Sequence, residues 1–224
     1  MFSSPTSSYA QAAQTRSSGC LRRFLIPPLS VVLISTLLIM GLNKIDIVEA
    51  ETFVPSNNAI VTNKEGIATL FTPEVQAWEE NILAWSSKYQ LDPNLVATVM
   101  QIESCGYSMA ESSAGAKGLF QVMPYHFKEG EDPFKPNTNA QRGLNYLRQA
   151  REMGGNNRLA LAGYNGGING ATKPQEEWPE ETVRYVYWGL QIYKDAREGL
   201  NSSARLQEWL ASGGASLCQL AHNQ

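Results

Sequence analysis

Cysteine and histidine are scarce in this chain of 224 residues, and their scarcity narrows the chemistry. Cys20, Cys105 and Cys218, with His126 and His222, stand far apart and form no Cys-x-x-Cys pair. No metal site is therefore expected, and nothing implies a cofactor. A basic excess is missing too. The formal charge is −3, which argues against nucleic acid as the main partner. Convincing alternating strands and internal repeats are absent, so the chain reads as mainly α. Its length allows one ordinary domain with a sizeable core, plus extras.

The one long uncharged run covers residues 24–42, behind Arg16, Arg22 and Arg23. Pro27 and Pro28 leave an unbroken apolar part shorter than the ~20 residues that span a bilayer comfortably. It suits the apolar region of a signal peptide, with a small-x-small site at Val48-Glu49-Ala50, or a retained anchor. Both readings keep the arginines on the cytoplasmic side and export everything after Lys44, to the periplasm or cell envelope. Attachment to the inner membrane through this segment follows from the anchor reading. Cys20 precedes the run and so is not placed as a lipoprotein cysteine. Without the residues before Glu51 the chain loses four basic and two acidic side chains and becomes more acidic. A neutral polymer suits such a surface better than a phosphate-bearing substrate. Cys105 and Cys218 remain in that part, and a disulfide or two free buried thiols both fit.

The expected organisation is an N-terminal signal or anchor over 1–50, a polar linker over 51–70, a helical domain over 71–212 and a C-terminal tail over 213–224. Thr72-Pro73-Glu74 opens a helix carrying Val75, Trp78, Ile82 and Trp85 at core-facing spacing. Asp92-Pro93 starts the next, with a capping carboxylate followed by a residue that has no amide hydrogen to lose. Residues 107–136 have no long period, and Pro124 reads as the end of a short apolar turn. Thr138 and Gln141 have capping-box spacing before Leu144, Leu147 and Ala150, with Gly154-Gly155 as the stop. A short Leu/Ala helix leads to Gly163-Tyr164-Asn165-Gly166-Gly167. The last long helix starts at Trp178-Pro179-Glu180-Glu181 and closes at Gly199.

Glu103 ends the helix that begins at Pro93, beside the row of Val96 and Met100. An apolar setting and the negative end of the helix dipole both disfavour its ionised form. A carboxylic acid that keeps its proton near neutral pH is what a general acid needs. Candidates for a second carboxylate are Glu111, Asp132 and Glu181. The first two lie in irregular polar text, and the third stands in a helix's first turn as a fixed anion.

Four stretches carry a resemblance: Ile102-Glu103-Ser104, the run from Gly118 through Gln121 and Met123 to Pro124, Gly163-Tyr164-Asn165-Gly166-Gly167, and Glu181-Thr182-Val183-Arg184-Tyr185-Val186. In this order and spacing they resemble the soluble lytic transglycosylase family, lysozyme-like enzymes that cut bacterial peptidoglycan. The resemblance implies a lysozyme-like helical domain with glycan strands of peptidoglycan as partner, and cell-wall or secretion machinery as a further one. It implies Glu103 as catalytic acid and Ser104 as its usual neighbour, whose hydroxyl orients it. Gln121 and Met123 are implied to line the glycan cleft. Tyr164 and Asn165 would face the sugar near the scissile bond, and Glu181 and Tyr185 would line the same cleft. Phe120 stands where Met is frequent, and Gly163 and Gly166 where Ala is frequent, so cleft shape is where this chain departs. The implied reaction closes the muramyl C6 hydroxyl onto C1, with one Glu as acid and then base. A goose-type lysozyme using water, and a wall-binding module without turnover, are the rival readings.

Overall fold

The computed structural model describes residues 66–223. The signal or anchor segment over 1–50, its cleavage site and most of the linker lie outside the described residues. No helix among the described residues is long and apolar enough to cross a membrane.

Every regular element among the described residues is helical, as the missing alternation predicts. Packing begins upstream of residue 71. Ile67, Ala68 and Leu70 are buried, the Ile67 amide donates to Glu79 Oε1, and the Ala68 amide donates to Asn94 Oδ1. The single helix expected around Trp78 is two, α1 (Pro73–Gln76) and α2 (Glu79–Tyr89). Trp78 leaves helical dihedrals at φ −95° and ψ 6°, and its indole N–H donates to the Gly106 carbonyl at 3.0 Å. The aromatics of this pair still pack inward: Trp78 stacks on Trp85, whose ring meets Phe120 edge-on.

Helix α3 (Pro93–Glu103) starts as the sequence predicts. Asp92 accepts from the Asn94 amide at 2.9 Å and Pro93 occupies the first position. Leu95, Val96, Val99 and Met100 are fully buried. An irregular segment follows, with a 3-10 turn that Pro124 opens rather than ends (Pro124–His126). Helix α4 (Pro136–Gly154) begins before the expected Thr138, because Pro136 fits the first turn without a side-chain cap. Gly155 ends it in the left-handed conformation. Helices α5 (Asn157–Gly166), α6 (Ile168–Ala171) and α7 (Glu180–Arg197) complete the frame. α5 packs between α4 and α7, and α7 also packs on α3. Leu144, Leu147, Leu161 and Ile192 fill the centre.

Beyond Gly199 lie α8 (Ala204–Trp209), a π turn (Leu210–Gly214) and α9 (Ala215–His222). The stretch 213–224 read as a tail is thus helical over most of its length. α9 packs on α1, and a Cys105–Cys218 disulfide ties it to the turn after α3.

Candidate active site

Glu103 is the last residue of α3, so the helix that builds the core also delivers its carboxyl to the surface. It opens onto a groove of about 490 Å³ between the irregular segment, α4, α5 and the start of α7. The side chain is half-buried by area, yet its carboxyl is hemmed in by protein. Burial pushes its pKa up to about 8. The Tyr185 hydroxyl opposes that shift by donating toward the carboxylate, and the negative charge of Glu181 adds to it. The Tyr185 hydroxyl is otherwise buried without a hydrogen bond of ordinary geometry, so its hold on Glu103 is loose. Burial near Glu103 also raises both Tyr164 and Tyr185, which keep their phenolic protons at any physiological pH.

The structure gathers Glu103, Gln121, Met123, Tyr164, Asn165 and Glu181 around this groove. Ser104, expected beside Glu103 as the residue that orients it, is not among the lining residues. It is fully buried, donating from Oγ to the Leu119 carbonyl at 2.7 Å and accepting from the Gly106 amide. Its hydroxyl thereby ties the end of α3 to the groove-forming loop. Tyr185, expected to line the cleft, likewise stands buried behind the lining, with its hydroxyl toward Glu103.

Local hydrogen bonds set how each lining group faces the groove. Gln121 has φ +42°, an uncommon conformation for a residue with a side chain, and its amide N–H groups donate to the Ala110 and Gly118 carbonyls. That leaves its side-chain oxygen as the groove-facing acceptor. Tyr164 donates to the Phe120 carbonyl at 2.6 Å. Asn165 accepts from Thr182 Oγ1 at 2.8 Å, which turns its amide N–H groups away from that contact. The glycines follow from close approach. A Cβ at Gly166 would come within 2.5 Å of Thr182 Oγ1, and one at Gly163 within 3.2 Å of the Ala150 Cβ.

The other two acidic candidates play no part in the groove. Glu111 is exposed and paired with Lys117, and Asp132 accepts from the Phe134 amide in a turn. Among the described residues one set of potential metal ligands converges, Glu74 with Cys105 and Cys218, and both sulfurs are held in the disulfide.

Sequence reasoning missed Tyr125, His126 and Tyr146, which line the groove, and Thr182 and Asn139, which support it. Thr182 lies inside one of the four motif stretches, next to Glu181. Asn139 sits one turn before Gly143 on the inner row of α4, where a poor helix former is a signal in itself.

Residues 80–183 match the family model described as Transglycosylase SLT domain. That span encloses all six groove-lining residues predicted from the sequence. The chain is 38% identical over 110 residues to a protein named transglycosylase from Enterobacteria phage PRD1, covering 48% of this chain and 40% of that one. It thus spans less than half the length of that relative. Among solved structures it is similar to an inactive mutant of lytic transglycosylase Slt from Pseudomonas aeruginosa. The TM-score is 0.46 and the identity 22%, over 57% of this chain and 25% of that one.

Proposed function

We propose, from the match of residues 80–183 to the Transglycosylase SLT domain model, that this chain cuts the glycan strands of peptidoglycan without water. The observation that carries the reading is Glu103, a carboxylic acid kept protonated by burial on the wall of an open groove. Glu103 protonates the oxygen linking N-acetylmuramic acid to N-acetylglucosamine, and the C1–O bond breaks. The muramyl C6 hydroxyl then bonds to C1 and returns its proton to the Glu103 carboxylate. A 1,6-anhydro end results, and no water is consumed. Positive charge developing at C1 is met by the substrate's own N-acetyl group, which the Asn165 amide and the neighbouring Tyr164 hold in place. Tyr185 steadies the carboxylate once Glu103 has given up its proton. Gln121 and Met123 line the path of the strand, and Glu181 keeps Glu103 protonated by like-charge repulsion.

We place the reaction outside the cytoplasm, in the periplasm or cell envelope. The Cys105–Cys218 disulfide supports an oxidising compartment, and the apolar run behind Arg22 and Arg23 supports export and inner-membrane attachment.

Mass spectrometry of digested peptidoglycan tests the chemistry, because anhydro-muramyl ends are lighter by one water than reducing ends. One observation favours a second reading: Glu181 shares the groove, so a hydrolase with Glu181 as water-activating base has its two carboxylates. Reducing ends would select that reading over the anhydro one. Glu103→Gln is expected to keep the fold and lower turnover by about 10²–10⁴-fold. Near-normal clearing of purified cell wall by that variant would remove Glu103 from either scheme.

A further inference from the structure

One wall of the groove holds a run of aromatic rings, of which the cleavage chemistry uses only Tyr164. Tyr164, near Glu103, meets Tyr146 of α4 at 5.9 Å between ring centroids. Tyr146 meets His126 at 4.9 Å, and His126 meets Tyr125 at 4.6 Å. The run leads from the reacting carboxyl to the rim. Tyr125 at its end is 76% exposed, the most open of the exposed large apolar side chains among the described residues, and it lines the groove.

The rim is built as a rigid platform. Pro124 sets the backbone at the start of the turn, the His126 amide donates to the Met123 carbonyl at 3.0 Å, and the Phe127 amide donates to the Pro124 carbonyl at 3.1 Å. Phe127 then packs against the core, so the exposed ring stands on an anchored base. The platform is also uncharged. Burial lowers the His126 pKa below the usual histidine value, leaving a neutral imidazole at neutral pH. The only acids among the groove-lining residues are Glu103 and Glu181.

We propose that Tyr125 and His126 form a sugar subsite at the end of this run of rings, taking an uncharged N-acetylhexosamine ring of the bound strand. The occupant follows from shape and polarity. A flat, neutral, exposed ring face offers apolar contact to the C–H face of a pyranose, and the imidazole beside it supplies a donor or an acceptor to its hydroxyls. Continuity with the groove supplies the strand, since the rings lead unbroken to Tyr164. This inference rests on the glycan reading of the groove, and it deepens that reading by making strand length matter. Tyr125 acts in binding and leaves the chemical step alone.

The test is calorimetric titration of the full chain, as the Glu103→Gln variant, with β-1,4-linked N-acetylglucosamine oligomers of increasing length. Affinity is expected to climb as oligomers become long enough to reach the rim. Adding Tyr125→Ala is expected to remove that climb, about three- to tenfold, while the shortest oligomers bind unchanged. Tyr125→Phe, which keeps the ring face, is expected to restore it. In the otherwise wild-type enzyme, Tyr125→Ala should raise KM on long strands and leave kcat in place. Equal affinity of Tyr125→Ala and its parent at every length overturns the subsite, and so does failure of all the oligomers to bind. The two proposals fail separately. Anhydro products with a KM indifferent to Tyr125 would leave the cleavage reading standing without the subsite. Length-dependent binding without any cleavage would leave the subsite and remove the enzyme.

Discussion

Glu103 is governed by three neighbours of different kinds, and their balance gives a pH dependence that can be checked. Burial and the Glu181 charge favour the protonated acid, the Tyr185 hydroxyl favours the carboxylate, and burial dominates. In the folded protein the pKa stands near 8, above the ordinary 4.5. Between those values the native state holds a proton that the unfolded chain has released, so stability from this group falls as pH rises. Glu103→Gln removes that loss. Its melting temperature should match wild type near pH 4 and exceed it by a margin that widens up to about pH 8, then levels off. In the proposed reaction the same proton is the one delivered, so kcat/KM should fall about tenfold per pH unit above about 8. A margin that stays flat with pH in thermal melts would mean Glu103 titrates like a surface glutamate. The raised acid was legible from its place at the end of an apolar helix, in the row of the fully buried Val96 and Met100. The part of Glu181 was not, because the closeness of α7's first turn to α3's last turn is a tertiary fact.

At the scale of elements, the groove depends on how the loop around Gly118 to Met123 is pinned to α4. Asn139 does the pinning. Fully buried, it accepts from the Phe120 amide at 2.8 Å and donates to the Lys117 and Pro133 carbonyls. Gly118, at φ +73°, is pressed so close that a Cβ would fall 2.4 Å from the Asn139 amide nitrogen. Gly143, one turn on, leaves room for Phe120, Val122 and the Tyr164 hydroxyl. Asn139→Ala takes this partner from the Phe120 amide and the Pro133 carbonyl, while the Lys117 carbonyl keeps the Val122 amide. It should cost about 2–4 kcal/mol, with the Phe120 amide losing hydrogen-exchange protection before the amides of α3 do. A stability loss spread evenly over the domain would show that Asn139 is an ordinary core residue. The small residues of this loop announced a close approach in the sequence, yet the residue approached lies on another helix and could not be named. Local rules fared best where a single residue decides, as Asp92-Pro93 does for α3. They failed where two rules compete. The capping-box spacing at Thr138 lost to Pro136, and the helical period through Trp78 lost to the hydrogen bond from its indole to Gly106.

At the largest scale described, the C-terminal helices and α3 are joined at one covalent point. Cys105 follows Glu103 by two residues, in a left-handed turn at φ +50° that residues with side chains seldom adopt. Cys218 reaches it from α9, 113 positions along the chain. The fully buried Gln101 backs the junction, accepting from the Thr72 amide and donating to the Cys105 sulfur, so α1, α3 and α9 meet at one spot. Sequence alone left the thiols either free or paired, because α9 is short and its return over α1 depends on the kink at Gly213, where φ is +121°. Gly214 also brings the backbone so near Trp209 that a Cβ would sit 2.4 Å from its ring. Closing a loop of this length removes much of the unfolded chain's freedom, so reduction should cost about 2–5 kcal/mol and lower the melting temperature by roughly 5–15 °C. Cys218→Ser should do the same without reductant. The loss has a direction as well as a size. Amides of α9 should exchange first, and then those of the turn after Glu103, while α4 and α5 keep their protection because neither contributes a residue to the junction. Turnover should fall on reduction by more than the change in folded fraction accounts for, since the freed turn carries the acid's own helix end. An unchanged melting point together with unchanged turnover in the reduced protein would make the bridge incidental to the site.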